Sequence, residues 1–412
     1  MSELEEHELI IVGAGAAGLW AAWVAALEGA SVLLLERTPR TGTKVLASGG
    51  TRCNLTTTLD AADAGRLYGP AAERFLRPAL AGVPCIEAPL EKIFPASQSA
   101  RDVRDALEGA ARSAGVEIRC DQRVTGIRAL GPEGYQVQVE EAASLRAERL
   151  ILAAGGKSFP STGTTGDGYA WLAALDLTLV EPVPALVPLV SPATWVHGLT
   201  GIAVAEAEVR LIDAGGKELA RRRRPLLFTH EGLSGPAAMD VSVHVARALT
   251  SQVAAPLEFT LSVDLCADSS RESLREELIA ASSVGGSPRV AKALGSRFPR
   301  RLVETVCVQA GLKPNPRVRE LGRAGRHGLI ESLKGLRVPI SGTAGFDKAE
   351  VTAGGLCLRE LDPRSMQLNR HRGLYVIGEL LDLDGPIGGF NFQSAFATAE
   401  LAGRHAAHAG RG

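Results

Sequence analysis

Leu9-Ile10-Ile11-Val12-Gly13-Ala14-Gly15-Ala16-Ala17-Gly18 is the stretch that decides the fold class. Four consecutive apolar residues read as a strand buried on both faces, the habit of a parallel sheet sandwiched between other layers. The glycines fall in a G-x-G-x-x-G pattern. The first permits a tight turn, the second lets backbone approach a pyrophosphate, and the third lets helix and strand pack closely. Outward from there, an Ala/Trp-rich helix runs to about Leu27, and Ser31-Val32-Leu33-Leu34-Leu35 reads as a second strand ending at Glu36. An acid at that distance suits a ribose hydroxyl, and being an acid it favours an unphosphorylated ribose. Among 46 glycines the pattern alone would be weak. Strand, turn, helix, strand and terminal acid in the correct order make dinucleotide binding the strong expectation.

Further along, a helix is expected near Arg101–Ala114, a strand at Val116–Arg119, and antiparallel strands at Arg123–Leu130 and Tyr135–Glu140. Leu150-Ile151-Leu152-Ala153-Ala154-Gly155-Gly156 is another buried strand running into glycines. Prolines at 182, 184, 188 and 192 mark a crossing into a different texture. Short strands follow to about Asp264, then Arg- and Leu-rich helices between about Ser269 and Gly335. Buried-strand texture returns near Gly345–Leu358 and Gly373–Gly378, and Asn391–Ala407 closes as an Ala-rich helix. The expected architecture is therefore α/β, with a discontinuous Rossmann-like domain (1–187 and 343–412) interrupted by an insert. The insert comprises strands over 188–267 and a helical subdomain over 268–337, and it ends at 342.

Bulk composition narrows the class without choosing a function. With 412 residues, 45% hydrophobic and 22% charged, the chain is globular and long enough for more than one core. A formal net charge of −1 predicts no whole-molecule attraction to nucleic acid or to a membrane. The acidic N-terminus lacks the basic start of a secretory signal. Leu19–Leu27 is interrupted by Glu28 and Gly29, too soon for a membrane span. Six scattered cysteines, with no CxxC or metal-ligand spacing, predict reduced thiols, a cytoplasmic setting and no bound metal.

Lys44-Val45-Leu46-Ala47-Ser48-Gly49-Gly50-Thr51-Arg52-Cys53-Asn54 resembles the signature of the BaiN-like FAD-dependent oxidoreductases, a group that includes YhiN-type proteins and aminoacetone oxidase. The likeness continues in family order through Ala153–Pro160, Gly163–Gly168 and Leu227–Pro236, and ends at Gly378–Asn391, so it covers nearly the whole chain. It implies a glutathione-reductase-like FAD domain, an inserted β-barrel-like domain and a small helical subdomain. The cofactor-binding set that follows comprises Gly13, Gly15, Ala16, Ala17, Gly18, Glu36, Arg37, Lys44, Ser48, Gly49, Arg52, Cys53, Asn54, Val124, Ala154, Gly155, Gly378, Glu379, Gly388, Gly389, Phe390 and Asn391. Ser48-Gly49-Gly50 can lie against a flat ring. Glu379 can reach ribityl hydroxyls, and amides at Gly388–Asn391 can face the flavin pyrimidine. Ile387 and Phe390 stand where the group commonly carries Thr and Tyr.

A flavin supplies the electron chemistry, and the protein supplies orientation, charge and exclusion of water. Only one nucleotide fingerprint is visible, so either NAD(P)H binds transiently as the electron donor or the donor is something else. Cys53 and His230 are the candidate catalytic side chains: a thiol beside the ring, and a group titrating near neutrality in a loop of the insert. The alternatives are that Cys53 is a small buried thiol and His230 a histidine held within a turn.

Between Pro288 and Arg337, twelve basic residues face three acids, a surplus of nine, and Arg221–Arg224 add four more charges in the insert. Such asymmetry suits a phosphate-rich partner, with RNA held through Arg317, Arg319, Arg323 and Arg326, or else a solvated helical surface. Phe298 is the sole aromatic there, which disfavours reading of single-stranded sequence. Three readings stay open: a reductase or dehydrogenase acting on an unsaturated or oxidised small molecule, a flavoenzyme reducing uridine in ribosomal RNA, and a flavin-binding protein without turnover.

Overall fold

The computed structural model describes residues 5–57, 85–88, 92–251, 258–283, 286–295 and 297–409. It divides into two compact units, one formed by Met1–Pro184 with Ala349–Gly412, the other by Ala185–Lys348.

The first unit is built on a parallel sheet. From one edge its strands are His371–Val376, Leu145–Leu152, Glu5–Val12, Val32–Leu35 and Glu117–Arg119, with antiparallel Gln367–Leu368 beyond His371–Val376. Leu9, Ile10 and Ile11 have no exposed surface, which is why the strand carries no polar alternation. Each such side chain contributes roughly 1.5–3 kcal/mol by leaving water. Register aligns Val12 with both Leu35 and Leu152, and Leu152 with Val376. All four strands therefore end at one level, and the loops bearing the glycine motifs leave from the same edge. The chain runs outward from Glu5–Val12 in one direction and later returns on its other side through Leu145–Leu152. That reversal is the topological switch point at which open α/β sheets bind ligands.

Helix Ala16–Leu27 packs against Ala100–Ser113 and against the last helix, Phe390–His408. Trp20 fixes the second contact: its ring centroid lies 5.0 Å from that of Phe396, and its Nε1 donates to Glu400 Oε2 at 2.9 Å. Both ends of the chain thus meet beside the glycine turn.

The second unit carries seven antiparallel strands in the order Leu336–Ile340, Phe259–Asp264, Ala203–Ile212, Glu218–Phe228, Gly232–Ser234, Leu189–Val190 and Gly342–Thr343. The two terminal strands of that path are separated in sequence by Ser341 alone. One intervening residue separates the flanking Cα atoms by at most about 7 Å, so the sheet curls until its edges meet. Helix Pro236–Thr250 packs on Glu218–Phe228. Helices Arg271–Ser283, Arg300–Gln309 and Arg323–Lys334 form the helical part. Lys334 ties it to the sheet: Nζ lies 2.6 Å from Asp264 Oδ2 and also donates to the carbonyls of Cys266 and Ser269. No described helix is long and apolar enough to cross a membrane.

Candidate functional site

The glycine turn is assembled by close contacts. Gly13 has φ +103°, and a Cβ there would lie 2.4 Å from the carbonyl oxygen of Ala153. A Cβ on Gly18 would lie 1.8 Å from the oxygen of Gly13. Gly15 is the contrast, because a Cβ there would meet nothing within 4 Å. Two glycines are small because protein presses on them, whereas the middle one faces open space at the start of a helix. Free amides and the positive end of a helix dipole make that space suited to a pyrophosphate. Glu36, largely buried, accepts from the Ala14 amide at 2.8 Å through Oε2, and from the Thr38 amide and hydroxyl through Oε1. It stiffens the turn as well as marking the strand end.

The remaining predicted residues of the first unit fall into three groups around this edge. Arg37 donates to Thr165 Oγ1 at 2.6 Å and pairs with Asp167 at 3.3 Å, tying the second strand to the 163–167 loop. Lys44 and Glu379, 335 residues apart, meet at 2.5 Å, and both contact the Ser158 hydroxyl at 2.6 Å. Glu379 also accepts from the Thr352 amide, and the Thr352 hydroxyl accepts from the amides of Lys157 and Ser158. The Glu379 carboxylate is thus committed to a protein network. Gly378 has φ +66°, and a Cβ there would sit 3.0 Å from Ala17 Cβ. Gly155 likewise has positive φ, and Ala154 packs against the core of the unit. Val124 is buried at the start of its strand.

The third group is the loop from Ser48 to Asn54. Gly49, Gly50, Thr51 and Cys53 all have positive φ. The backbone therefore turns in a way most side chains resist, and Thr51 and Cys53 hold that geometry without being glycine. Arg52 lies 4.9 Å over the Phe94 ring. Cys53 is fully buried, and burial pushes its thiol from 9.0 up to about 11, with a smaller opposing effect of a hydrogen bond with Ser48. It is held protonated at neutral pH. At the far end, Asn391 clips its own loop through Gly385 N at 2.9 Å and Gly385 O at 3.0 Å. Gly388 and Gly389 precede it with positive φ, and Phe390 is buried.

His230 belongs to the second unit. Its side chain is 80% exposed, with Glu231 3.8 Å away and itself exposed. No described neighbour orients it. In the same unit Arg317 donates to the carbonyls of Gly286 and Ser287, Arg326 donates to that of Leu321, and Arg319 and Arg323 are exposed. Arg221–Arg224 carry less free charge than their sequence suggests, because each lies beside a carboxylate: Glu218, Asp240, Asp268 and Asp240 in turn.

Sequence reasoning missed Ser158 as a partner, Thr352 and Gln393. Ser158 stood inside a quoted motif, whereas Thr352 carries no signal at all. Gln393, in the first turn of the last helix, is 1% exposed, and neither polar atom of its amide finds a partner. Asn54 Oδ1 is orphaned in the same way. An unmet buried amide group costs about 1–3 kcal/mol. The room beside Gly15 and these unpartnered polar groups fit a flavin dinucleotide. Among the described residues no cluster is suited to a metal ion.

The HI0933-like protein Rossmann domain matches residues 7–405. The chain belongs to the HI0933-like family. It is an FAD-dependent oxidoreductase. It is 30% identical to the ribosomal RNA dihydrouridine synthase of Escherichia coli, over 96% of this chain and 97% of that protein. It is 32% identical to the 3-dehydro-bile acid delta(4,6)-reductase of Clostridium scindens, over 96% and 98%. Among solved structures it resembles the 3-ketosteroid-delta4-(5alpha)-dehydrogenase of Rhodococcus jostii RHA1, with 15% identity and a TM-score of 0.49 over 99% of this chain and 98% of that one.

Proposed function

We propose that this HI0933-like protein adds hydrogen across a carbon–carbon double bond conjugated to a carbonyl, drawing electrons from NAD(P)H. The observation that carries this reading is the full-length similarity to two reductases named for very different molecules, a bile acid and a uridine in RNA. Both names describe saturation of a ring double bond activated by a carbonyl. When bound, FAD would supply the hydride chemistry linking a nicotinamide to such a bond. The chain's own part is to bind and orient. The Gly13–Gly18 amides would hold the pyrophosphate, the 48–54 loop would face the ring, and the start of the last helix would favour negative charge on the pyrimidine.

His230 is the proposed proton donor, supported by its residue type and its freedom from other bonds. The free thiols of Cys53, Cys120, Cys266, Cys307 and Cys357 support a reducing, cytoplasmic setting. A second reading, uridine in ribosomal RNA as the acceptor, is supported by the cations of the helical part that pair with no carboxylate among the described residues.

Anaerobic titration tests the reading. NADPH or NADH should bleach the flavin's visible band, and protein-free ribosomal RNA or a 3-keto-4,6-diene steroid should restore it. Bleaching without recovery on either acceptor overturns the reaction class. His230→Ala should slow recovery by about 10²-fold or more if the histidine delivers the proton, while full turnover in that variant removes it from the mechanism.

A further inference from the structure

Segments 286–290 and 315–319 of the helical part run antiparallel. They are held by Val290 N to Pro316 O at 3.0 Å and Val318 N to Pro288 O at 2.9 Å. The pairing sets Arg289 directly opposite Arg317. Like charges facing each other across a ladder repel, and nothing in the ladder offsets them. Arg289 donates to the Asn315 carbonyl, and Arg317 to the carbonyls of Gly286 and Ser287. Glu320 is close by, but it accepts from the Arg317 backbone amide rather than from the guanidinium. Glu304, beyond Asn315, is paired with Arg300 at 2.7 Å.

The two arginines and Lys292 line a cleft of about 510 Å³ whose other described walls are Gly, Ser, Pro and Ala. No ion pair to a carboxylate is present for any of the three cations among the described residues. By contrast, the more conspicuous Arg221–Arg224 run is matched by acids. Three converging cations without a counter-ion, in a concave site with exposed backbone, are the makings of an anion site.

We propose that this cleft binds phosphate of an RNA backbone. The inference rests on the RNA reading above for its ligand. The phosphates of a pyridine nucleotide share the same chemistry, but two features favour the polymer. The described residues of the cleft include no aromatic wall on which a base or nicotinamide would stack. The positive charge also continues past it: the Arg319 amide donates to the Ser287 hydroxyl on the cleft wall, and Arg323 and Arg326 follow on the next helix. A repeating charge fits such a stripe, whereas a single nucleotide uses only its start.

The test reads binding, not turnover. Anisotropy of labelled, protein-free ribosomal RNA is measured against FAD-loaded full-length protein across a salt series. Lys292→Glu is the principal variant, because that exposed side chain makes no described hydrogen bond. Arg289→Ala/Lys292→Ala is the second, and Arg221→Gln/Arg223→Gln the control. Both cleft variants should weaken binding at least about tenfold and flatten the log-affinity against log-salt slope by about 0.7–0.9 per contact removed. The control should keep the wild-type slope. Unchanged RNA affinity in Lys292→Glu, with flavin content and Tm intact, overturns the cleft. In a parallel arm with 2′,5′-ADP, loss of that ligand alone assigns the phosphate to the electron donor and overturns the RNA source. Binding through the cleft without reduction of uridine sinks the catalytic reading and leaves this one standing.

Discussion

At the scale of single residues, Cys53 is the sharpest case, because its chemistry follows from burial. A thiol that ionises only near 11 carries a thiolate fraction on the order of one in several thousand at pH 7.5, and the thiolate is the reactive form. Cys53 should therefore resist alkylation in the native protein while the part-exposed Cys120 and Cys357 react first, as peptide mapping after timed iodoacetamide treatment would show. Rapid labelling of Cys53 in folded protein would contradict its burial. The linkage has a definite sign. The native state holds this proton more tightly than the unfolded chain, so the associated stability is complete below about pH 9 and is lost as pH rises toward 11. Unfolding titrations should show Cys53→Ala losing that alkaline component.

At the scale of elements, the strand–turn–helix at the start of the chain separates two kinds of glycine. Gly18→Ala drives a methyl into the Gly13 carbonyl, which forces helix Ala16–Leu27 off its strand. It should cost at least about 1–3 kcal/mol as well as the flavin. The Cβ of Gly15→Ala meets no protein atom within 4 Å, so it should leave apo-protein Tm nearly unchanged while weakening FAD uptake. Thermal melts and flavin absorbance of the two variants together decide this, and equal loss of Tm in both would refute it. This element was legible because its constraints are local: continuous apolar residues, spaced glycines and a terminal acid each state one requirement. The same holds for the last helix, expected over Asn391–Ala407 and found over Phe390–His408. Thr352 was invisible because its partners, Lys157, Ser158 and Glu379, come from distant segments, and no short-range pattern encodes such a meeting. The Arg221–Arg224 run misled for the opposite reason. Local charge was plain, but Asp240 and Asp268, which offset much of it, are contributed by other segments.

At the scale of the whole molecule, the first unit draws strands and helices from both sides of an insert of more than 160 residues. If FAD bridges Gly13–Gly18 and the Gly378–Asn391 region, removing it should loosen the later segment first. Apo protein should lose about 2.7 kcal/mol relative to protein in FAD at a hundred times Kd, and limited proteolysis should cut near Gly385–Gly389 sooner. Cleavage confined to other sites, equally fast with and without FAD, would argue against a shared cofactor.

The adjacency of His371–Val376 to Leu145–Leu152 also imposes an order on biosynthesis. While a ribosome is still making the insert, the apolar end of the Leu145–Leu152 strand, Leu150–Leu152, has one flank of backbone amides and carbonyls bare, a template for any stray strand. Its proper neighbour emerges more than 200 residues later, at a time when many domains would already be finished. If the Gly378–Asn391 region holds the coenzyme, loading waits until that region has been made. Slowed translation through the insert should raise the fraction that aggregates in the cell.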